Sequence, residues 1–338
     1  MKTLKARPQQ LLVDHSLQVA ELAARFGVKA DVAETARCAG LLHDCGKALQ
    51  SFQDYVEDLE AGKPVRRGDA PHSPASARRV YGLMAGSRSI SEILANVIYA
   101  HHGSLYDFVT PNGEADLTDR TLQVVSECVD DIPASAPDAQ ALAGEFMSSV
   151  MRLHTEDQAF GSSMLIKFIY SCLVDADRLD AYLFETGKSY SNERMNWEPL
   201  CEKLETHLSM LSKEGDIAAV RHKVSGQCFK AAARRRGIYR LSVPTGGGKT
   251  LSSLRFAMNH AKIHNMDRII YVIPYLSITE QVVLEIRKAL GDFDDCVLEH
   301  HSDFLPDDRA YYKVRPYVLI TSACGLLEFC LKRAVGII

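Results

Sequence analysis

What most constrains this chain is a change of texture near residue 186. Up to about residue 185, apolar residues recur at i, i+3 and i+4, and strand-like runs are hard to find. Beyond about residue 225, short β-branched or apolar runs alternate with helical ones: IYRLSV, KTLSSLRFAMNHAKIH, RIIYVI, ITEQVVLEIRKAL, YVLIT and GLLEFCLKR. The first pattern predicts an all-helical bundle and the second a parallel sheet with crossover helices. The polar and then charged stretch between them predicts a linker and helical connector over 186–225, leaving domains over 1–185 and 226–338. A chain of 338 residues has room for both cores.

Composition narrows the function. A formal charge of −4 argues against a globally basic nucleic-acid coat, so any nucleic-acid contact must be local. One such run exists: Arg221, Lys223, Lys230, Arg234, Arg235, Arg236 and Arg240, with no acid among them. The first residues hold no apolar signal core, and no 18 consecutive residues are apolar, so no membrane contact and a cytoplasmic location are expected. Nine cysteines, an odd number without a C-x-x-C pair, read as reduced core thiols.

Helix punctuation in the first part is clear. Asp14 is expected to cap a helix stopping at Gly27, Asp31 one running to His43, and SEILANVIYAHHG ends another at Gly103. SSMLIKFIYSCLVDADRLDAYLF reads as a central buried helix, and 113–137 as a mobile loop with a short helix. Onto this scaffold fall His15, His43-Asp44 in LLHDCGK, His72, His101-His102, and the acids Asp175 and Asp177. Helices that aim such side chains inward build a metal site from facing elements. Imidazole with carboxylate suits Mn²⁺, Fe²⁺, Co²⁺ or Ni²⁺ better than the all-oxygen shell of Mg²⁺. Two such ions could share one carboxylate, Asp44 being the natural bridge, and hydrolyse a phosphate ester.

These residues resemble the signature of the HD phosphohydrolase superfamily. HSPASA at His72, the HHG doublet and VDADRLD resemble more narrowly the nuclease domain of the helicase-nuclease of type I CRISPR interference. The resemblance implies that His15, His43, Asp44 and Asp177 hold one metal, that Asp44, His72, His101 and His102 hold the other, and that Lys47 steadies the scissile phosphate or the attacking water. Asp175 and Asp177, two apart on a helix, point to nearly opposite faces, so only one can serve; alignment with the A-D-R form of the motif selects Asp177, leaving Asp175 a capping or surface role.

In the second part, IYRLSVPTGGGKT has strand, glycine turn, Lys249-Thr250 and helix in the order a phosphate cradle requires. Gly246, Gly247 and Gly248 would turn N–H groups toward phosphate, Lys249 would reach the terminal phosphates and Thr250 would ligate Mg²⁺. Val243 stands where the strict pattern has glycine, yet PTGGGKT resembles motif I of superfamily 2 helicases. Gln227 resembles their adenine-reading glutamine, RIIYVIPYLSITEQ their motif Ia and YVLITSACGLLEF their motif Ib. The acidic pair that should follow is not found, nor is a second motor domain.

The resemblance therefore implies an all-α HD-type bundle followed by a partial RecA-like α/β parallel-sheet domain. It implies a single-stranded DNA nuclease using two transition-metal ions, with Mg-ATP at the glycine loop, serving an RNA-guided CRISPR surveillance complex of Cascade type. An HD phosphohydrolase acting on nucleotides, and a non-catalytic nucleic-acid-binding module with a structural metal, are the alternatives.

Overall fold

The computed structural model describes residues 4–66, 68–107, 112, 117, 138–153, 155–190, 196–212, 214–300 and 318–322. The chain divides into two compact units that part between Ser189 and Tyr190. As the sequence patterns predict, a helical unit comes first and an α/β unit with a parallel sheet follows.

The first unit opens on an antiparallel ribbon that periodicity does not reveal, β1 (Lys5–Arg7) with β2 (Gln10–Leu11). Strands of three and two residues are too short to show an alternation. Then come α1 (Leu12–Gly27), α2 (Ala33–Leu42), α3 (Gln50–Glu60), α4 (Ser73–Leu83), α5 (Arg88–Ala100), α6 (Ala139–Arg152) and α7 (Gln158–Thr186). Two expected caps are corrected. Helix α1 begins at Leu12, which puts Asp14 inside its first turn, where its charge complements the helix dipole. Asp31 takes a left-handed conformation just before α2, whose cap position is Val32.

Helix α7 is the central buried helix that its apolar run predicts: Leu165, Phe168, Ile169, Cys172 and Leu173 are buried. Asp157 caps its start by accepting from the Phe160 N–H at 2.9 Å, and Gly187, at φ 64°, ends it in the left-handed conformation that glycine adopts freely. Among the described residues it is the one helix long and apolar enough to cross a membrane, and most of that apolar window is buried in the protein. Of the loop expected over 113–137, only Leu117 lies within the described residues.

In the second unit, α8 (Glu198–Met210) and α9 (Asp216–Ala231) are followed by α10 (Lys249–His264), β3 (Ile269–Ile273), α11 (Leu276–Leu290), β4 (Val297–His300) and β5 (Val318–Ser322). The sheet has the order β3-β5-β4, with both pairings parallel. Its core joins Leu254 and Met258 of α10, Ile286 and Leu290 of α11, Val318 and Ile320 of β5, and Trp197, Leu200 and Leu204 at α8. Helix α8 lies inside the stretch expected as a helical connector, and its Leu200, Cys201 and Leu204 are buried in this core.

The strand expected at IYRLSV is corrected too. Residues 238–243 form no strand among the described residues; Ile238 is fully exposed and Tyr239 about a third. β-branched composition makes a strand possible, but a strand exists only where a neighbour offers its hydrogen bonds. Conversely β4 follows a polar turn and carries only two apolar residues, too few for a pattern. The predicted helix GLLEFCLKR lies outside the described residues.

Candidate metal centre

Two helix ends present their histidines in the same way. His43 follows α2 and His101 follows α5, each one residue past the last helical turn, where carbonyls lack an intrahelical donor. The Nδ1–H of His43 donates to the Gly40 carbonyl at 2.8 Å, and that of His101 to the Ile98 carbonyl at 2.5 Å. Satisfying the carbonyl fixes the tautomer, and each ring is left with Nε2 aimed inward.

What they face is Asp44, 1% exposed. Its Oδ2 lies 3.0 Å from His15 Nε2, 3.3 Å from His43 Nε2 and 2.6 Å from Lys47 Nζ. Its Oδ1 lies 3.0 Å from His72 Nε2 and 3.6 Å from His101 Nε2. From α7, Asp177 Oδ1 stands 3.5 Å from His15 Nε2 and 3.7 Å from His43 Nε2. His102 completes the far side, its Nε2 3.1 Å from that of His72.

The turn after Asp44 is shaped for this approach. A Cβ on Gly46 would stand 2.1 Å from the His72 carbonyl oxygen, so only glycine lets the turn pass beneath the start of α4. There the Gly46 N–H donates to Ser76 Oγ at 2.8 Å, coupling the His43-Asp44 segment to the His72 segment.

Two groups of donors result: His15, His43, Asp44 and Asp177; and Asp44, His72, His101 and His102. Within each, one ligand atom per residue lies within 4.8 Å of all the others, and Asp44 belongs to both. His43 Nε2, His101 Nε2 and Asp44 Oδ1 are buried without a hydrogen-bond partner. Polar atoms left so in a protein interior are costly, and lone pairs converging on carboxylate oxygens call for a cation. The donor set fits a divalent transition metal at each group.

Electrostatics point the same way. Burial discourages a charge on His43, but Asp44 and Asp177 outweigh it and raise the group to about 10. Burial likewise opposes ionisation of Asp44, yet His43, Lys47 and His72 hold it well below the usual carboxylate range. Asp177 is lowered too, its desolvation overcome by His43. Burial lowers His101, and burial with the neighbouring His101 and His72 pushes His102 down to about 3. A centre that keeps its acids ionised and its His101 and His102 rings neutral presents negative charge and free lone pairs, the donors a cation takes.

Asp175 takes neither of the roles sequence reasoning offered: it is buried in the interior of α7 and belongs to neither group. Sequence reasoning also passed over Asp180 and Gln10. Asp180 sits one turn beyond Asp177 in VDADRLD and accepts from His15 Nδ1 at 2.7 Å and from Gln10 Nε2 at 2.9 Å. The i, i+3 spacing of Asp177 and Asp180 is the signal that could have found it.

At the glycine loop, Gly246 (φ 80°) and Gly248 (φ 77°) occupy the left-handed region, and α10 starts at Lys249. The Val243 side chain closes over Gly247, where a Cβ would meet it at 2.4 Å. Arg221 of α9 donates from Nε to the Gly246 carbonyl at 2.8 Å. Lys249 is exposed, Thr250 half-buried, and Gln227 lies exposed on α9.

The first unit is thus a helical frame carrying two donor groups that could each hold a metal ion. A family model for the HD domain matches residues 12–125. No curated protein matches the chain. Among solved structures it is similar to the crystal structure of T. fusca Cas3-ADP, at 16% identity and a TM-score of 0.48, over 99% of this chain and 46% of that one. It is similar also to T. fusca Cas3-ATP, at 16% identity and a TM-score of 0.46, over 97% and 44%. The chain thus spans less than half the length of these structures.

Proposed function

We propose that this protein is a nuclease that hydrolyses phosphodiester bonds of single-stranded DNA with two transition-metal ions, Mn²⁺, Fe²⁺, Co²⁺ or Ni²⁺. The observation that carries this is the pair of donor groups sharing Asp44, with three of their ligand atoms buried and unpartnered. Bound there, such ions supply the Lewis acidity that activates water and offsets charge on a phosphate. The chain's own residues do the rest. Asp44 would be shared by the two positions; His15, His43 and Asp177 would complete one, and His72, His101 and His102 the other. Lys47, its Nζ 2.6 Å from Asp44 Oδ2, helps to hold that carboxylate ionised and would steady the scissile phosphate or the attacking water. His102, the exposed member, marks the side from which a strand enters.

The glycine loop is proposed to bind Mg-ATP through Gly246, Gly247, Gly248, Lys249 and Thr250, with Gln227 reading the base. The protein would act in the cytoplasm on a strand presented by an RNA-guided CRISPR surveillance complex.

The test is metal content by elemental analysis, paired with cleavage of single-stranded DNA in Mn²⁺ or Ni²⁺. His43→Ala and Asp44→Ala should lose metal and lower cleavage by more than the roughly 10- to 100-fold that loss of an outer partner costs. Undiminished cutting in both variants would overturn the assignment, as would turnover of nucleotides with DNA left intact.

A further inference from the structure

The two donor groups are not built alike. In the group formed by Asp44, His72, His101 and His102, the His101 ring is fixed by a backbone carbonyl of its own helix end. In the other, His43 is fixed in the same manner, but His15 is not. His15 sits in the first turn of α1, where backbone carbonyls are already engaged along the helix and cannot steer a side chain. Its Nδ1 instead meets Asp180 Oδ2 at 2.7 Å, the shortest contact that ring makes.

Carboxylates face both ring nitrogens, Asp180 at Nδ1 and Asp44 with Asp177 at Nε2; because a carboxylate only accepts, Nδ1 keeps its hydrogen against Asp180 when Nε2 gives its lone pair to a cation. His15 is fully buried and Asp180 5% exposed, so no water competes for the contact. Asp180 is itself held. The buried Gln10 of β2 donates from Nε2 to the same oxygen at 2.9 Å, and Arg7 of β1 brings Nη2 to 4.0 Å from Asp180 Oδ2 and from Asp177 Oδ1. The short ribbon thus carries Arg7 and Gln10 to the face of α7 from which Asp177 and Asp180 project.

We infer that Asp180, seated by Gln10, is a positioning residue that orients His15 and thereby sets the affinity of one of the two cation positions, leaving the other unaffected. This rests on the proposed metal centre. Asp180 contacts no atom of either donor group except through His15 among the contacts described, and His15 belongs to one group alone. Carboxylate partners of metal-bound histidine typically contribute about 10- to 100-fold in affinity by fixing tautomer and ring direction.

The experiment is calorimetric titration of the full chain with Mn²⁺, alongside proton and nitrogen NMR of the histidine rings in the metal-free protein. The wild type should bind two ions. In Asp180→Ala one of the two steps should weaken by about 10- to 100-fold while the other keeps its wild-type affinity, and the His15 Nδ1–H resonance should move or vanish. Asp180→Asn, whose amide oxygen can still accept from His15, should recover most of the affinity. Thermal unfolding of each variant separates a folding defect from a local one. Two wild-type steps unchanged in Asp180→Ala would overturn the inference, and so would equal weakening of both steps. A wild type that takes up no Mn²⁺ would instead overturn the metal centre beneath it.

Discussion

Gly46 is the residue where local geometry and function meet most closely. Any Cβ there would drive the turn after Asp44 away from His72, separating members of one donor group. Gly46→Ala should leave the helical content intact by circular dichroism while lowering metal content measured by elemental analysis. His43 makes a second prediction. With its value raised from 6.5 to about 10, it carries a proton in the metal-free protein near neutrality, and a cation must displace that proton. Metal uptake should therefore release protons, and apparent affinity should rise between roughly pH 6 and 8. Calorimetry in buffers of different ionisation enthalpy counts the protons. The same shift has a sign for stability: in the metal-free fold its contribution is fully present below about 6.5 and is lost as pH rises through about 10.

Helix α7 brings both Asp177 and Asp180 to the centre, so its packing governs the site. Leu173, one turn before Asp177 and fully buried, anchors that part of the helix. Leu173→Ala should cost about 2–5 kcal/mol in a chemical denaturation curve. At this scale the sequence was most informative where its pattern was long: α7, α10, α11, β3 and β5 were legible from periodicity. Short elements were not. The ribbon of Arg7 and Gln10 is five residues, and β4 four, too few to repeat anything. IYRLSV was misread because composition alone cannot tell whether a partner strand is there. The donor residues were legible because histidine and aspartate are uncommon on helices that pack, and because their order matched a known signature. Asp180 was not, since its role depends on which side of His15 it faces.

Considered as a whole, all seven candidate ligands and Lys47 lie in the first of the two units. Residues 1–189 produced alone should therefore retain the metal stoichiometry of the full chain, which elemental analysis would check. Within that unit, the candidate centre draws on positions far apart along the chain: His15 and Asp180 touch across 165 residues. A metal held by His15 and Asp177 would act as a clasp between the beginning and end of the helical unit, closing a long loop that the unfolded chain cannot keep closed. Ions bound at 100 times their dissociation constant would strengthen the folded state by about 2.7 kcal/mol for each position. A chelator should then do more than silence a reaction: it should lower the melting temperature of the entire helical unit at once, because the fastener it removes holds both ends.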